Sequence, residues 1–548
     1  MGCWELSGPK LDPIFQSRTT TDSSKQTSMP VVEKGLRKLT RRYAIRAQVR
    51  CAGLVRTTPL RRPTATSSGP GLPNCPSIKP FDNSKRTLSY TPGTLDLRDG
   101  GENMRSAIFV FFTLLTLTVG AFSAQLTFSN TPLILPTGSS EPAIAFDNDG
   151  NMALTGLSWL TFGTNFWTGS FGTTPTFQGQ IDMNLQQPGR RVFGGGDADV
   201  DIGTNGTLHA STLIFIINAN TFRTGRGFQL GVSAISCPDG ATAFNLSKCT
   251  QEIIDLAGDD RQWVTSNGNQ VWISYHDSKN SSLIRVQRSD DDGVNWKRVG
   301  DPIVGQAQTT AGATFNNVQG KLVADRTTGD LYAVYAEGVP GILKAKTTTF
   351  NHVIVSRSTD LGKSWTASLV FADPRLVDLG QVFPALAVDQ VTGKLYAVWS
   401  DARNTFFSSS RDNGSTWSAP KIVNVAPALT TVFPNVDAHN GTVDVVYYGT
   451  TAASNDKDPS AVWNTYLSQT TDDGATFTQS TVSNTSNHTG VICTRGSGCA
   501  PGTRNLLDLF EVAIDPQNGR AGVIYTDDTL TKDSVGNPLP QVVLAQQN

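Results

Sequence analysis

The chain has 548 residues, a formal net charge of −1, 38% hydrophobic residues and 17% charged residues. These values exclude a collagen, a wholly disordered chain and an acidic-tail protein, and they leave apolar residues enough for a sizeable core. A prior of about 150 residues per domain suggests three or four domains, unless the chain is built from repeats.

The charge is unevenly spread. Residues 1–103 carry 17 Lys+Arg against 8 Asp+Glu, so the remaining 445 residues hold a net charge of −10. This first segment, rich in Arg, Ser, Thr and Pro, reads as a disordered extension or an over-extended gene model. Met104-Arg105-Ser106 then precedes an apolar run, Ala107 to Val119, and the small residues Gly120, Ala121, Ser123 and Ala124. A basic start, an apolar stretch and a small-residue exit make residues 104–124 a secretory signal peptide. The alternative is a type II signal anchor, for which the run is only marginally long. Residues 125–548 are expected outside the cell, secreted if the signal is cleaved, with a net charge of −11.

Seven hairpin-like units follow in that region. They begin at Glu141, Asp197, Asp260, Val318, Phe383, Phe433 and Phe510, and each has two apolar or alternating runs around a turn glycine: Gly150, Gly206, Gly268, Gly329, Gly393, Gly441 and Gly519. Period-two alternation around D-x-x-G or N-G turns signals β-hairpins, and no long stretch carries a helical period. The fold class is therefore all-β. Spacings near 60 residues accommodate four antiparallel strands per unit, so the expectation is a β-propeller with seven blades, six being the alternative. The run from Gln541, with Leu126–Asn130 or the Leu133 segment, is expected to seal the ring as the outer strands of the last blade.

Between the hairpins lies a second motif: Ser289-DDDGVNW, Ser358-TDLGKSW, Ser410-RDNGSTW and Thr470-TDDGATF. Asp291, Asp360, Asp412 and Asp472 suit turns in which a carboxylate accepts backbone N–H bonds and glycine takes a left-handed conformation. With these four motifs in register with the hairpins, the sequence resembles the BNR or Asp-box proteins of the sialidase superfamily over nearly all of 125–548. The resemblance implies that these aspartates are structural.

For a sialidase the resemblance also implies three arginines gripping a substrate carboxylate, a Tyr nucleophile paired with Glu, and an Asp acid/base in a retaining exo-glycosidase. The start of each first strand and the end of each second strand are expected on one binding face. The candidates there are Arg261, Arg403 and Arg504 as the carboxylate grip, with Asp401 and Asp277 nearby. Glu511 with Tyr525 or Tyr448 is the candidate nucleophile pair, and Asp197 or Asp182 the acid. The (F/Y)RIP motif of sialidases is missing: Glu141-Pro142-Ala143-Ile144 stands in its place. Two functions therefore remain open, an exo-glycosidase and a non-catalytic propeller binding extracellular glycans or glycoproteins, with the binder slightly favoured.

Smaller signals complete the reading. Cys237 with Cys249 and Cys493 with Cys499 are spaced as two local disulfides. Asn205, Asn245, Asn280, Asn413, Asn440, Asn484 and Asn487 head N-glycosylation sequons. No histidine spacing suggests zinc, and no metal or other cofactor is expected, although Asp197, Asp199 and Asp201 share a strand face that suits Ca²⁺. Trp159, Phe166, Trp167 and Phe171 form either blade packing or a sugar platform. A monomer is expected, and the acidic mature chain argues against nucleic acid.

Overall fold

The computed structural model describes residues 125–158, 163–218, 228–256, 261–277, 283–303, 317–338, 349–380 and 382–548. The readings made for 1–103 and 104–124, together with Trp159, Asp260 and Asn280, lie outside the described residues.

The described chain is all-β apart from two single-turn 3₁₀ helices, and its strands form seven sheets of at least four strands each. Blade 1 comprises Ser140–Phe146, Asn151–Leu157, Thr164–Ser170 and Thr176–Gln180. Blades 2 to 6 open with Ala198–Ile202, Trp263–Asn267, Asn317–Ala324, Ala385–Val388 and Thr430–His439. Blade 7 opens with Glu511–Ile514. These seven first strands are innermost and touch one another in sequence order, with blade 7 against blade 1, so the ring is a closed seven-bladed propeller. The first strand of every predicted hairpin is the inner one, and the six-bladed alternative is excluded.

Closure joins the two ends of the described chain. Phe128–Leu133 pairs antiparallel with Pro538–Gln547 from Phe128↔Gln547 to Leu133↔Val542, which makes it the outer strand of blade 7. The backbone N–H of Asn548 donates to the Thr127 carbonyl at 2.9 Å. No outer edge of Pro538–Gln547 is left open along this pairing, and open edges are what recruit foreign strands.

Burial explains why the inner strands fold as they do. Sandwiched between neighbours, Ala385–Val388, Glu511–Ile514 and Ser140–Phe146 are buried along their full length. Apolar side chains at every second position fill the spaces between blades, as with Val436, Ala438, Val443, Val445 and Tyr447 against Ala385, Tyr396 and Phe407. Acidic side chains on the inner strands do a different job: they accept backbone N–H bonds from the next blade. Asp199 accepts from Val264 at 2.8 Å, Asp437 from Ile514 at 2.7 Å, and Glu511 from Ile144 at 3.2 Å. Asp389 accepts from both Asn440 (3.0 Å) and Gly441 (2.8 Å).

The four aspartate turns join the third and fourth strands of blades 3 to 6 and share one hydrogen-bond pattern. In the first, Ser289 Oγ donates to Asp291 Oδ1, Gly293 N–H donates back to Ser289 Oγ, and the Asn295 backbone and side chain donate to the two oxygens of Asp291. Asp360, Asp412 and Asp472 are held in the same way by Ser364, Thr416 and Thr476. Trp296, Trp365 and Trp417 each donate Nε1–H to the glycine carbonyl of their turn. These donors stabilise the charged form, and the side chains of Ser364 and Thr416 foremost hold Asp360 and Asp412 down at about 2. Both predicted disulfides form, Cys237–Cys249 and Cys493–Cys499.

Candidate functional site at the channel mouth

The starts of the inner strands converge at one end of the central channel. Glu141, Arg261, Phe383 and Phe433 there hold φ between 46° and 66°, a region costly for side-chain-bearing residues. They occupy equivalent places in blades 1, 3, 5 and 6. Register slips between Ser140 and Ala143, and between Val432 and Asn435, mark two of these places as bulges. A bulge inserts an unpaired residue and re-aims its side chain.

Arg261 is the centre of the site and is 2% exposed. Its Nη2 donates to Glu141 at 3.1 Å and to Asp508 at 2.7 Å, its Nη1 lies 3.7 Å from Asp197, and its guanidinium carbon sits 4.2 Å over the ring centre of Phe383. Arg504 grips the same Asp508, with Nε at 3.0 Å and Nη2 on the other oxygen. The backbone N–H of Asp508 donates to Glu141 at 2.8 Å. Burial pushes the Glu141 carboxyl well above the ordinary range, against the opposing pull of Arg261. Burial alone would weaken the charge on Arg504, but the Asp508 carboxylate outweighs it and holds the guanidinium protonated.

Asp508 belongs to the segment between the outer strand of blade 6, Thr478–Thr481, and the inner strand of blade 7. Leu509 packs in the cluster of Trp263 and Phe383 from blades 3 and 5, so this segment crosses the mouth. Trp263, Phe383, Phe433, Leu509 and Phe510 line what space remains. Deeper in the channel Lys321 Nζ contacts Glu511 at 2.9 Å. Burial lifts Asp199 to about 8, with Lys321 opposing.

The predicted arginine trio divides. Arg261 and Arg504 meet on one carboxylate, but that carboxylate is the chain's own Asp508. Arg403 is exposed; its backbone accepts from Thr431 at 3.0 Å and its N–H bonds Asp401. Asp401 caps that short turn, accepting also from Asn404 at 2.7 Å. Asp277 is clasped by Arg285 through Nε at 2.8 Å and Nη2 at 2.6 Å.

The structure also separates Tyr525 from Glu511. Glu511 pairs in register with Ile524, so Tyr525, one residue on, points to the opposite face of the blade. There its hydroxyl donates to Asn130 Oδ1 at 2.7 Å, and burial raises it above the ordinary tyrosine range. Tyr448 is buried in the same seam, stacked on Phe510 with ring centres 4.1 Å apart and accepting from the Thr526 N–H. Asp182 is fully enclosed by Thr164 and Gly195, which donate to it at 2.8–2.9 Å.

The other candidate groups are likewise taken up by neighbours. Asp201 accepts from Arg326 at 2.8 Å and Ser266 at 2.7 Å, whereas Asp199 turns to Val264. Among the described residues no three His, Cys, Asp or Glu side chains gather as a metal would require. Phe166 and Trp167 are buried and Phe171 packs beside Phe146, which corrects the platform reading for these three.

Outside the mouth, a groove of about 460 Å³ lies between the aspartate turns of blades 5 and 6, lined by Arg411, Trp417, Lys421, Asp472 and Asp473 among others. Asp508 and Phe383 escaped identification as site residues because Asp508 lies just before the last hairpin unit and Phe383 carries no polar group.

No family model matches the chain, and no curated protein matches it. Solved structures do. A protein of unknown function from Dyadobacter fermentans is similar at 11% identity with a TM-score of 0.43, over 78% of this chain and 99% of that one. The Aleuria aurantia lectin, solved with a fucose-containing disaccharide, is similar at 12% identity and a TM-score of 0.38, over 68% of this chain and 100% of its own. A sialidase from Streptococcus pneumoniae is similar at 10% identity and a TM-score of 0.38, over 79% of this chain and 72% of its own.

Proposed function

We propose that residues 125–548 form a secreted, non-catalytic propeller of the Asp-box type that binds extracellular glycans or glycoproteins through its mouth face. One observation carries this reading: the two arginines that could hold an acidic sugar both grip Asp508, while Tyr525 and Glu511 face opposite sides of their blade. A retaining hydrolase needs a nucleophile and an acid within about 3 Å of the atoms they act on, and among the described residues the candidate Tyr525–Glu511 pair is not brought together. The two disulfides support an oxidising, extracytoplasmic setting.

The test is a panel of fluorogenic glycosides, sialosides included, run beside a glycan array with protein secreted from Met104. Binding without turnover is expected. Turnover of any of these glycosides would overturn the reading, and its loss in Tyr525→Phe would restore the exo-sialidase alternative.

A further inference from the structure

The fold sorts the glycosylation sequons by face. In every blade the first strand runs away from the mouth, so the connections between strands one and two and between strands three and four lie at the opposite, turn face. Four sequons fall in those connections. Asn205 and Asn440 are in the inner-hairpin turns of blades 2 and 6, Asn245 is in the third-to-fourth connection of blade 2, and Asn413 is in the aspartate turn of blade 5. All four side chains are exposed.

They are not equivalent. Asn205 is tied down, its Nδ2 donating to Asp292 across the blade 2–3 seam at 3.0 Å while its Oδ1 accepts from Thr207. Asn413 and Asn440 stand at turn tips with φ of 55° and 50°. At Asn245 the sequon hydroxyl of Ser247 already touches the amide, Oγ to Oδ1 at 2.7 Å. By contrast Asn487 is wholly buried, and its Nδ2 donates to the Thr526 carbonyl at 3.2 Å, so a sugar there is incompatible with the closed ring. Asn484, three residues earlier, is exposed on the segment leading back toward the mouth.

We infer that the turn face is N-glycosylated at Asn245, Asn413 and Asn440 and that Asn487 stays unmodified. In the transfer, Nδ2 of each asparagine bonds to the anomeric carbon of an oligosaccharide carried on a lipid diphosphate. The bond from that carbon to the diphosphate breaks, the lipid diphosphate departs, and the amide loses one proton. The turn of Asn413 also walls the groove between blades 5 and 6, so a glycan on it stands at the groove's rim and competes with other ligands there.

The test is site mapping of the full chain expressed in a eukaryotic secretory host. Enzymatic deglycosylation in ¹⁸O water converts each occupied Asn to labelled Asp, read by mass spectrometry. Labelled positions 245, 413 and 440 and an unlabelled Asn487 are expected, and the N245Q/N413Q/N440Q variant should migrate faster and lose those labels. Label at Asn487 in folded protein, or unmodified Asn245, Asn413 and Asn440 in secreted protein, overturns the assignment. So does a chain that stays inside the cell without glycans.

Discussion

Asp508 Oδ2 lies 2.7 Å from Arg261 Nη2, which locks the segment entering blade 7 to blade 3, on another side of the channel mouth. Removing one partner of a buried ion pair leaves an uncompensated charge, at a cost of about 3–5 kcal/mol. Glu141 remains beside Arg261, so Asp508→Ala should fall at the low end of that range in urea denaturation. The same variant empties the place between Arg261 and Arg504. Calorimetry with a sugar carboxylate should then detect binding that the parent protein lacks.

Stability should decline as pH rises from about 5 to 8. Burial raises Asp444 to about 7 and Asp199 to about 8, so the folded state holds protons that unfolded aspartates release near pH 4. The folded state therefore loses ground across that window. Asp444→Asn keeps the oxygen that accepts from Gln469 and removes the titration, so thermal melts of this variant should be flatter between pH 5 and 8.

The aspartate turns impose the opposite sign at lower pH. Asp360, Asp412 and Asp472 are held near 2, so their contribution is complete above about pH 4 and is lost as pH falls toward 2. A double variant, D360N/D472N, should lower the melting temperature at pH 6 and show a shallower acid transition, followed by circular dichroism.

Gly320→Ala should be strongly destabilising although it adds a single methyl. The added carbon would meet the Pro384 carbonyl oxygen at 2.0 Å, backbone against backbone between blades 4 and 5. Neither strand can withdraw without opening the seam. A loss of at least about 1–3 kcal/mol, the usual cost of overpacking, is expected from chemical denaturation.

Deleting residues 125–133 should expose the outer edge of Pro538–Gln547. Hydrogen exchange there should accelerate while blades 3 to 5 keep their protection, and light scattering should report concentration-dependent association.

The hairpin periodicity made the seven-unit all-β architecture readable from sequence, because turn glycines and period-two patterning are local properties; which strand of each unit lines the axis depends on packing between blades. The aspartate turns were readable for the same reason: Ser289 to Trp296 close on themselves. The mouth was much less so. Glu141, Arg261, Arg504 and Asp508 are scattered over more than 360 residues, and their meeting depends on ring order and on bulges that re-aim single side chains. Tyr525 and Glu511 looked compatible from sequence; a register of one residue in a strand pair sent them to opposite faces.

The acidic count of residues 125–548 misrepresents what a partner meets. Glu141, Asp182, Asp199, Asp389, Asp444, Asp508, Glu511 and Asp515 are all buried, several of them bonding to the backbone of an adjoining blade. Part of the negative charge that a sequence tally assigns to the surface is thus neutralised inside the blades, by protonation at Asp199 and Asp444 and by pairing of Asp508 and Glu511 with Arg261, Arg504 and Lys321. Long-range repulsion of an anionic glycan is correspondingly weaker than the formal charge predicts, and its approach should depend on local chemistry at the mouth more than on the overall field.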